Sequence, residues 1–151
     1  MATPSPPSGT LCSETIALDK NAIVAFASRF DPQPYHLDED AAAQSIFGNL
    51  CASGWHIAAL ATRLVSETLI SNELSFVQMI SVRQLKWNQP TFMNEEISVR
   101  IALGATGEES SIAGTHSQAL EVDVCNGDGA VVAKMAVTAA IANDPKLAGT
   151  S

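Results

Sequence analysis

Basic residues are scarce in this sequence: Lys and Arg number 8, Asp and Glu number 16, and the formal net charge at pH 7 is -8. Nucleic-acid-binding proteins usually carry a basic surface, so this composition argues against that class. No apolar run reaches the roughly 18 residues that a membrane-spanning helix needs. The opening residues contain neither an apolar stretch nor a basic residue, unlike a secretory signal. We therefore expect a cytoplasmic protein with no nucleic-acid partner and no membrane partner.

Cysteine is also scarce, with three residues and no C-x-x-C spacing. This pattern argues against a disulfide scaffold and a zinc ribbon, and it fits a reducing compartment. His36, His56 and His116 are too scattered in the sequence to predict a metal site. Because His56 follows a tryptophan in an apolar segment, we interpret it as a core histidine with satisfied hydrogen bonds or as an interface residue. We interpret Cys51 and Cys125 as small apolar side chains.

Hydrophobic residues, in contrast, make up 46% of the 151 residues. That fraction and length suit one domain with a sizeable core. Prolines and small polar residues dominate the beginning of the chain, and the end is similar. These compositions predict flexible segments over residues 1–12 and 144–151, on either side of a single domain over residues 13–143.

Helical signals dominate the first half of the chain. A helix is expected to begin near Asp19, which can cap it, and to end before the Asp-Pro pair at 31–32. A short helix is expected after Asp38 for the same capping reason. A long helix is predicted over residues 54–71, and its few charges indicate that it is mostly buried.

Strand signals follow, since apolar and polar residues then alternate or β-branched residues cluster. The predicted strands span residues 79–87, 97–103, 117–125 and 131–141. Residues 104–114 are expected to form an exposed loop, and the Asn-Gly-Asp-Gly run at 126–129 predicts a hairpin turn. Helices followed by an antiparallel meander, with one buried helix, indicate an α+β fold.

One candidate site lies in residues 30–38, where Asp31 and His36 flank two prolines. A stiff loop can direct a carboxylate and an imidazole at the same target, and histidine exchanges protons near neutral pH. The spacing alone leaves a structural alternative open. Asp31 can simply open a turn while His36 packs against the next helix.

A second candidate site lies at the start of the long helix, at Ser53 and Gly54. The first N–H groups of a helix have no partner within it, and the helix dipole there favours negative charge. The Gly54 N–H could therefore hold a developing oxyanion. The alternative is that Ser53 only caps the helix and Gly54 only permits close packing.

These motifs together resemble the MaoC-like dehydratases, a group that includes the R-specific enoyl-CoA hydratases. The resemblance rests on residues 26–38, 41–42, 47–48 and 52–56, and it extends more loosely through residues 85–87 to Ile141. It implies a hot-dog fold, in which an antiparallel sheet wraps around one long helix, here residues 54–71. It also implies a homodimer with acyl-thioester sites at or near the interface.

The resemblance implies a role for each matching residue. Asp31 and His36 fall on the family's catalytic pair, and Gly54 falls on the glycine whose N–H faces the thioester carbonyl. Thr62 falls where many members carry a serine near the catalytic water. The expected activity is interconversion of trans-2-enoyl-CoA and (R)-3-hydroxyacyl-CoA, with CoA as part of the substrate and no separate cofactor.

Ser53, Tyr35 and Phe47 complete the expected substrate-binding set, with Phe47 and the apolar helix shielding an acyl chain. Ser53 departs from the family, since many R-specific hydratases have histidine there. The family's usual Pro-Gly-Asp turn is replaced by residues 93–95, where Asn94 tolerates left-handed geometry.

Two other functions fit the resemblance. One is an acyl-CoA thioesterase, although no carboxylate is predicted on the helix face near Gly54. The other is a non-catalytic acyl-thioester-binding subunit. Because the chain is acidic and CoA is an anion, any phosphate contacts must come from a local patch, for which Arg63, Arg83 and Lys86 are candidates.

Overall fold

The computed structural model describes residues 10–147, and its first helix occupies the predicted place. Helix α1 spans Lys20–Phe30. Asp19 caps it, because its carboxylate accepts a hydrogen bond of 2.8 Å from the Ala22 N–H. The helix ends at Asp31, directly before Pro32, where helical backbone is disfavoured. This end places the Asp31 side chain at a helix terminus.

The segment that was expected to be a stiff loop contains a one-turn helix. Helix α2 spans Pro34–Leu37 and carries His36. Proline suits the first position of a helix, because the missing N–H has no partner there in any case. Helix α3 spans Glu39–Ala43 and begins at the predicted cap, where Asp38 accepts a hydrogen bond from the Ala41 N–H at 3.1 Å.

Helix α4 spans Gly54–Ser71, which matches the predicted bounds. Its apolar side chains face the sheet and join one continuous core with the strands. The buried side chains of this helix include Ile57, Ala61, Leu64, Val65 and Leu69. Burial of each large aliphatic side chain contributes about 1.5–3 kcal/mol. The central helix is therefore the main partner of the sheet.

In the described part of the chain, residues 10–147, six strands form one antiparallel sheet. They are β1 (Thr10–Cys12), β2 (Ile16–Ala17), β3 (Phe76–Trp87), β4 (Glu96–Glu109), β5 (Thr115–Asn126) and β6 (Val131–Ala142). The order across the sheet is β1-β4-β5-β6-β3, and β2 also pairs with β4. With α4 against it, this is the hot-dog arrangement that the resemblance implied.

The prediction of a simple antiparallel meander was wrong for strand β3. Strands β4, β5 and β6 do follow one another, but β3 pairs with β6 and lies at the far edge from β4. Val82 of β3, for example, stands opposite Val137. Local periodicity identifies the strands, but packing around α4 decides which of them are neighbours.

Two boundaries also differ from the prediction. The expected loop at 104–114 is strand as far as Glu109, because this polar, glycine-containing stretch continues to pair with β5. Residues 10–12, expected in the flexible segment, form β1 against β4 with Leu11 buried. The rest of that segment, residues 1–9, lies outside the described residues. The expected tail contains a short 3-10 helix at Pro145–Leu147, and residues 148–151 are not described.

The turn predictions are confirmed at the residue level. The Asn126 side chain accepts hydrogen bonds from the Asp128 and Ala130 N–H groups, both at 3.0 Å, and Gly129 has a φ of 83°. Asn94 has a φ of 69°, which is the left-handed geometry expected of it. Within residues 10–147, no helix is long and apolar enough to cross a membrane.

Candidate active site

Both candidate motifs meet at the beginning of α4. Asp31 ends α1, His36 lies on α2, and Ser53 and Gly54 begin α4. A hydrogen bond joins the side chains of Asp31 and Ser53, which are 22 positions apart in the sequence. The structure therefore joins the two separate sequence motifs in one site.

Asp31 and His36, the expected catalytic pair, have a defined geometry. His36 is buried, and its Nε2 lies 3.5 Å from the Asp31 Oδ2. The other ring nitrogen, Nδ1, lies 2.6 Å from the Cys51 carbonyl oxygen. Because a carbonyl can only accept, Nδ1 carries the hydrogen, and the lone pair of the neutral ring is on Nε2. His36 can therefore accept a proton on the side where Asp31 lies.

Ser53 links the start of α4 to the Asp31 carboxylate. Its hydroxyl oxygen accepts the Trp55 N–H at 3.2 Å, which caps α4. The same hydroxyl donates to the Asp31 Oδ2 at 2.7 Å. Ser53 is fully buried and is not among the residues that line the adjacent cavity.

Gly54 lies beneath the indole of Trp87. The Trp87 Nε1–H donates to the Gly54 carbonyl at 2.8 Å. A β-carbon at Gly54 would lie only 2.7 Å from Cε2 of that indole, so any larger residue would force Trp87 to move. Among the described residues, no acceptor is found for the Gly54 N–H. Gly54 thus serves close packing and also lines the cavity.

A cavity of about 440 Å³ adjoins these groups. Its size is in the usual range for small-molecule sites. Asp31, His36 and Gly54 line it together with Tyr35 and Phe47, whose rings pack 4.8 Å apart. Five of the seven predicted site residues therefore share one cavity, which has both proton-transfer groups and apolar walls.

Thr62 lies apart from this group. It is eight positions beyond Gly54, which is about 12 Å along the helix axis. Its hydroxyl donates to the Ala58 carbonyl at 2.9 Å, and it does not line the cavity.

Part of the cavity wall had no signal in the sequence. This part comprises Trp87, Asn88, Gln89, Pro90 and Thr91 at the end of β3, together with Val132 of β6. The proline at 90 marked the end of a strand, but nothing in the spacing connected that end with α4. Trp55 and Trp87, the two tryptophans of the chain, pack edge to face with ring centres 4.9 Å apart.

Two buried groups nearby have shifted pKa values. Burial raises the pKa of the Cys51 thiol, which makes it a poor nucleophile and fits its interpretation as an apolar side chain. Burial lowers the pKa of His56, and the charge of Asp19 partly opposes this shift. His56 stacks on Phe26, but among residues 10–147 no hydrogen-bond partner is found for its buried Nδ1. The interpretation of His56 as a core histidine with satisfied hydrogen bonds was therefore wrong, and its alternative, an interface residue, stays a prediction.

The three basic residues expected to contact the phosphates of CoA do not line the cavity. Arg63 pairs with Glu67 on the exposed side of α4, with Nε and Oε2 3.3 Å apart. The Arg83 guanidinium donates to the Val137 carbonyl at 3.1 Å, and Lys86 is exposed. Within residues 10–147, no cluster of three or more His, Cys, Asp or Glu side chains could hold a metal ion.

Comparison with known proteins decides the family. A family profile described as "MaoC like domain" matches residues 4–124, well over half of the chain. The chain belongs to the MaoC-like family. This MaoC-like chain is 34% identical to a MaoC-like dehydratase from Rhodospirillum rubrum, over 90% of this chain and 92% of that one, with a TM-score of 0.74. The predicted family and hot-dog fold are confirmed.

More distant MaoC-like relatives share the fold. An (R)-hydratase from A. caviae involved in PHA biosynthesis is 20% identical, with coverage of 89% of this chain and 96% of that one, and a TM-score of 0.68. The HadBC (3R-hydroxyacyl-ACP dehydratase) complex from Mycobacterium tuberculosis is 15% identical, with coverage of 90% and 98% and a TM-score of 0.69. At these identities the likeness concerns the fold alone.

Among curated proteins, the uncharacterized protein YdeM of Bacillus subtilis is 24% identical over 86 residues. The alignment covers 56% of this chain and 60% of YdeM. The chain therefore matches less than two thirds of that relative's length. The relative that is 34% identical is a MaoC-like dehydratase, and the reaction of this member has to be argued from its own site.

Proposed function

We propose that this protein interconverts trans-2-enoyl-CoA and (R)-3-hydroxyacyl-CoA by adding or eliminating water. The observation that carries the proposal is the Asp31–His36 pair in the wall of an acyl-sized cavity, next to the start of α4. Water addition to an enoyl thioester needs a base for water, an acid for the α-carbon and a donor for the thioester oxygen. Asp31, His36 and Gly54 supply these three groups.

For the hydration direction, the proposal assigns one proton to the pair and places it on Asp31, so that the His36 Nε2 is free to accept. The His36 Nε2 takes a proton from water as the water oxygen bonds to the β-carbon. The electrons of the double bond move through the α-carbon to the thioester oxygen. Asp31 then gives its proton to the α-carbon, and the carbonyl re-forms. This leaves an imidazolium beside a carboxylate, and return of the proton from Nε2 to Asp31 restores both groups.

The Gly54 N–H is the donor for the thioester oxygen in this proposal. It is the first N–H of α4, where the helix dipole favours negative charge. Its benefit is greatest when that oxygen carries enolate charge, as in other oxyanion sites. The reaction uses no separate cofactor, because CoA is part of the substrate.

A second copy of the chain completes the proposed enzyme. Strand β3 forms an edge of the sheet, and Val82 on it is 54% exposed. Long exposed edge strands with apolar side chains are normally covered, and a symmetric pairing of two such edges does this. We expect a homodimer that pairs its two sheets.

The test is incubation of the purified protein with crotonyl-CoA. Loss of the enoyl absorbance together with formation of the (R)-3-hydroxy product is the expected result. Release of free CoA thiol without hydration would favour a thioesterase instead. The structure gives that alternative little support, since the Glu67 carboxylate pairs with Arg63 on the exposed side of α4. Binding of acyl-CoA without turnover would favour the non-catalytic alternative.

A further inference from the structure

Ser53 makes a contact that its capping role does not require. A capping serine needs only to accept an N–H of the first turn, which Ser53 does with Trp55. Its hydroxyl hydrogen is then available, and it is directed at the Asp31 Oδ2 at 2.7 Å. The Trp55 N–H can only donate, so the Ser53 oxygen accepts from it, and the Ser53 O–H donates to the Asp31 carboxyl group.

The position of Ser53 excludes direct contact with a substrate in the cavity. Its side chain is fully buried, and it is absent from the cavity wall, whereas its partner Asp31 lines that wall. Any influence of Ser53 on the reaction must therefore pass through the Asp31 carboxylate or through the fold of α4.

We infer that Ser53 is a positioning residue for Asp31, an inference that rests on the proposed function. The Ser53 hydroxyl holds Oδ2 beside the His36 Nε2 and leaves the carboxyl group directed at the cavity. When Asp31 gives up its proton to the α-carbon, the hydrogen bond from Ser53 becomes charge-assisted and therefore stronger. Ser53 thus stabilises the transition state more than the bound substrate.

The test compares kcat and KM for crotonyl-CoA hydration in Ser53→Ala, Ser53→Gly and Ser53→Thr. Ser53→Ala and Ser53→Gly lose the hydroxyl, and kcat should fall by about 10- to 100-fold, the range for hydrogen bonds to charged groups. KM should change by less than about 3-fold, because Ser53 does not contact the substrate and ground-state binding is therefore unchanged. Ser53→Thr keeps a hydroxyl and should retain most of the turnover.

The alanine and glycine variants separate positioning from capping. Glycine is a much better N-cap residue than alanine, so loss of the cap alone would harm Ser53→Ala and spare Ser53→Gly. An effect through Asp31 should lower kcat equally in both. If Ser53→Ala fails to fold, Ser53→Gly and Ser53→Thr still provide the comparison.

A double variant completes the test. In Asp31→Asn, the further change Ser53→Ala should cost less than about 2-fold, because groups acting as a unit are not additive. A near-normal kcat in Ser53→Gly, or an equal loss in the presence and absence of the Asp31 carboxylate, would overturn the inference while leaving the proposed function intact. A wild-type protein that hydrates no enoyl-CoA would overturn both.

Discussion

The His36 ring can accept a proton at only one of its nitrogens, Nε2, because the other, Nδ1, carries a hydrogen and donates it in a hydrogen bond to the Cys51 carbonyl. Fixed hydrogen bonds of this kind set the tautomer of a catalytic histidine. Around it, small residues allow close approach of large ones, as Gly54 does for Trp87. At the scale of single residues, the site depends on backbone groups as much as on side chains.

The contact between Gly54 and Trp87 leads to a stability prediction. Gly54→Ala should destabilise the fold by about 1–3 kcal/mol, because its β-carbon overlaps the indole. In the presence of Trp87→Ala, the same change should cost much less, since the overlap is relieved. Urea unfolding of the two single variants, the double variant and the wild type gives the coupling. If the losses of unfolding free energy in the two single variants simply add in the double variant, the Trp87 indole is not the reason that position 54 requires glycine.

His56 predicts a loss of stability in acid. Its folded pKa lies below about 6.5, the usual value for histidine. As the pH falls below about 6.5, the His56 side chain of the unfolded protein binds a proton, whereas that of the folded protein stays neutral until its lower pKa is reached. The free energy of unfolding therefore decreases over this range. The slope from this group is at most about 1.4 kcal/mol for each pH unit.

The matching experiment is urea unfolding from pH 7.5 to pH 5 in His56→Phe and His116→Gln. We expect His56→Phe to lose less stability over this range than the wild type. The new phenylalanine ring can still stack on Phe26, but it has no group that titrates. His116→Gln, which removes a histidine bonded to Asn143, is the control for loss of a histidine elsewhere in the fold. Equal pH dependence in His56→Phe and the wild type would show that His56 is not the responsible group.

The spacing of Asp31 and His36 made them a candidate pair with a structural alternative still open, and the family resemblance then implied a catalytic pair. The sequence could not predict the Cys51 carbonyl or the Ser53 contact, whose partners lie 15 and 22 positions away. Such contacts depend on how α1, α2 and α4 pack together. The wall contributed by residues 87–91 was missed for the same reason.

At the scale of elements, the prediction was best where a local signal coincides with burial. Helix α4 begins at a serine cap and has a continuous apolar face, and both of its bounds were predicted. Strand β4 was predicted too short, because its second half is exposed and lacks the alternation that marks a buried strand. The place of β3 beside β6 also had no local signal.

The central helix should be the most sensitive element to truncation. Leu64 is buried in the core, whereas its neighbour Arg63 is exposed. Leu64→Ala should lower the free energy of unfolding by about 2–5 kcal/mol, and Arg63→Ala by no more than about 1 kcal/mol. Chemical denaturation of both variants checks this contrast. Similar losses in the two variants would contradict the assignment of α4 as the core helix.

At the scale of the whole molecule, one sheet and one helix form a single core, but an edge of that sheet is exposed. The homodimer proposed above would cover strand β3. Such a dimer fits a chain with few charged residues, because apolar surface left in water favours association. The assembly and the reaction are separate claims and need separate measurements.

Light scattering during gel filtration measures the assembly. We expect the wild type at twice the chain mass of 15.8 kDa at micromolar concentration. Val82→Lys should shift it toward the monomer, since charge on an edge strand opposes pairing. Ile46→Lys is the matched control, because this residue is 96% exposed and lies outside the sheet. A monomeric wild type would contradict the proposed dimer.

The central claim is that Asp31 and His36 carry out one water-addition step. Its most direct test is the rate of crotonyl-CoA hydration by the wild type, Asp31→Asn, His36→Gln and the double variant. Each single change should lower the rate by about 10²–10⁴-fold, the usual cost of losing general acid–base catalysis. The double variant should be little worse than either single one, because the two groups act as a unit. Hydration at near wild-type rate in both single variants would contradict the account.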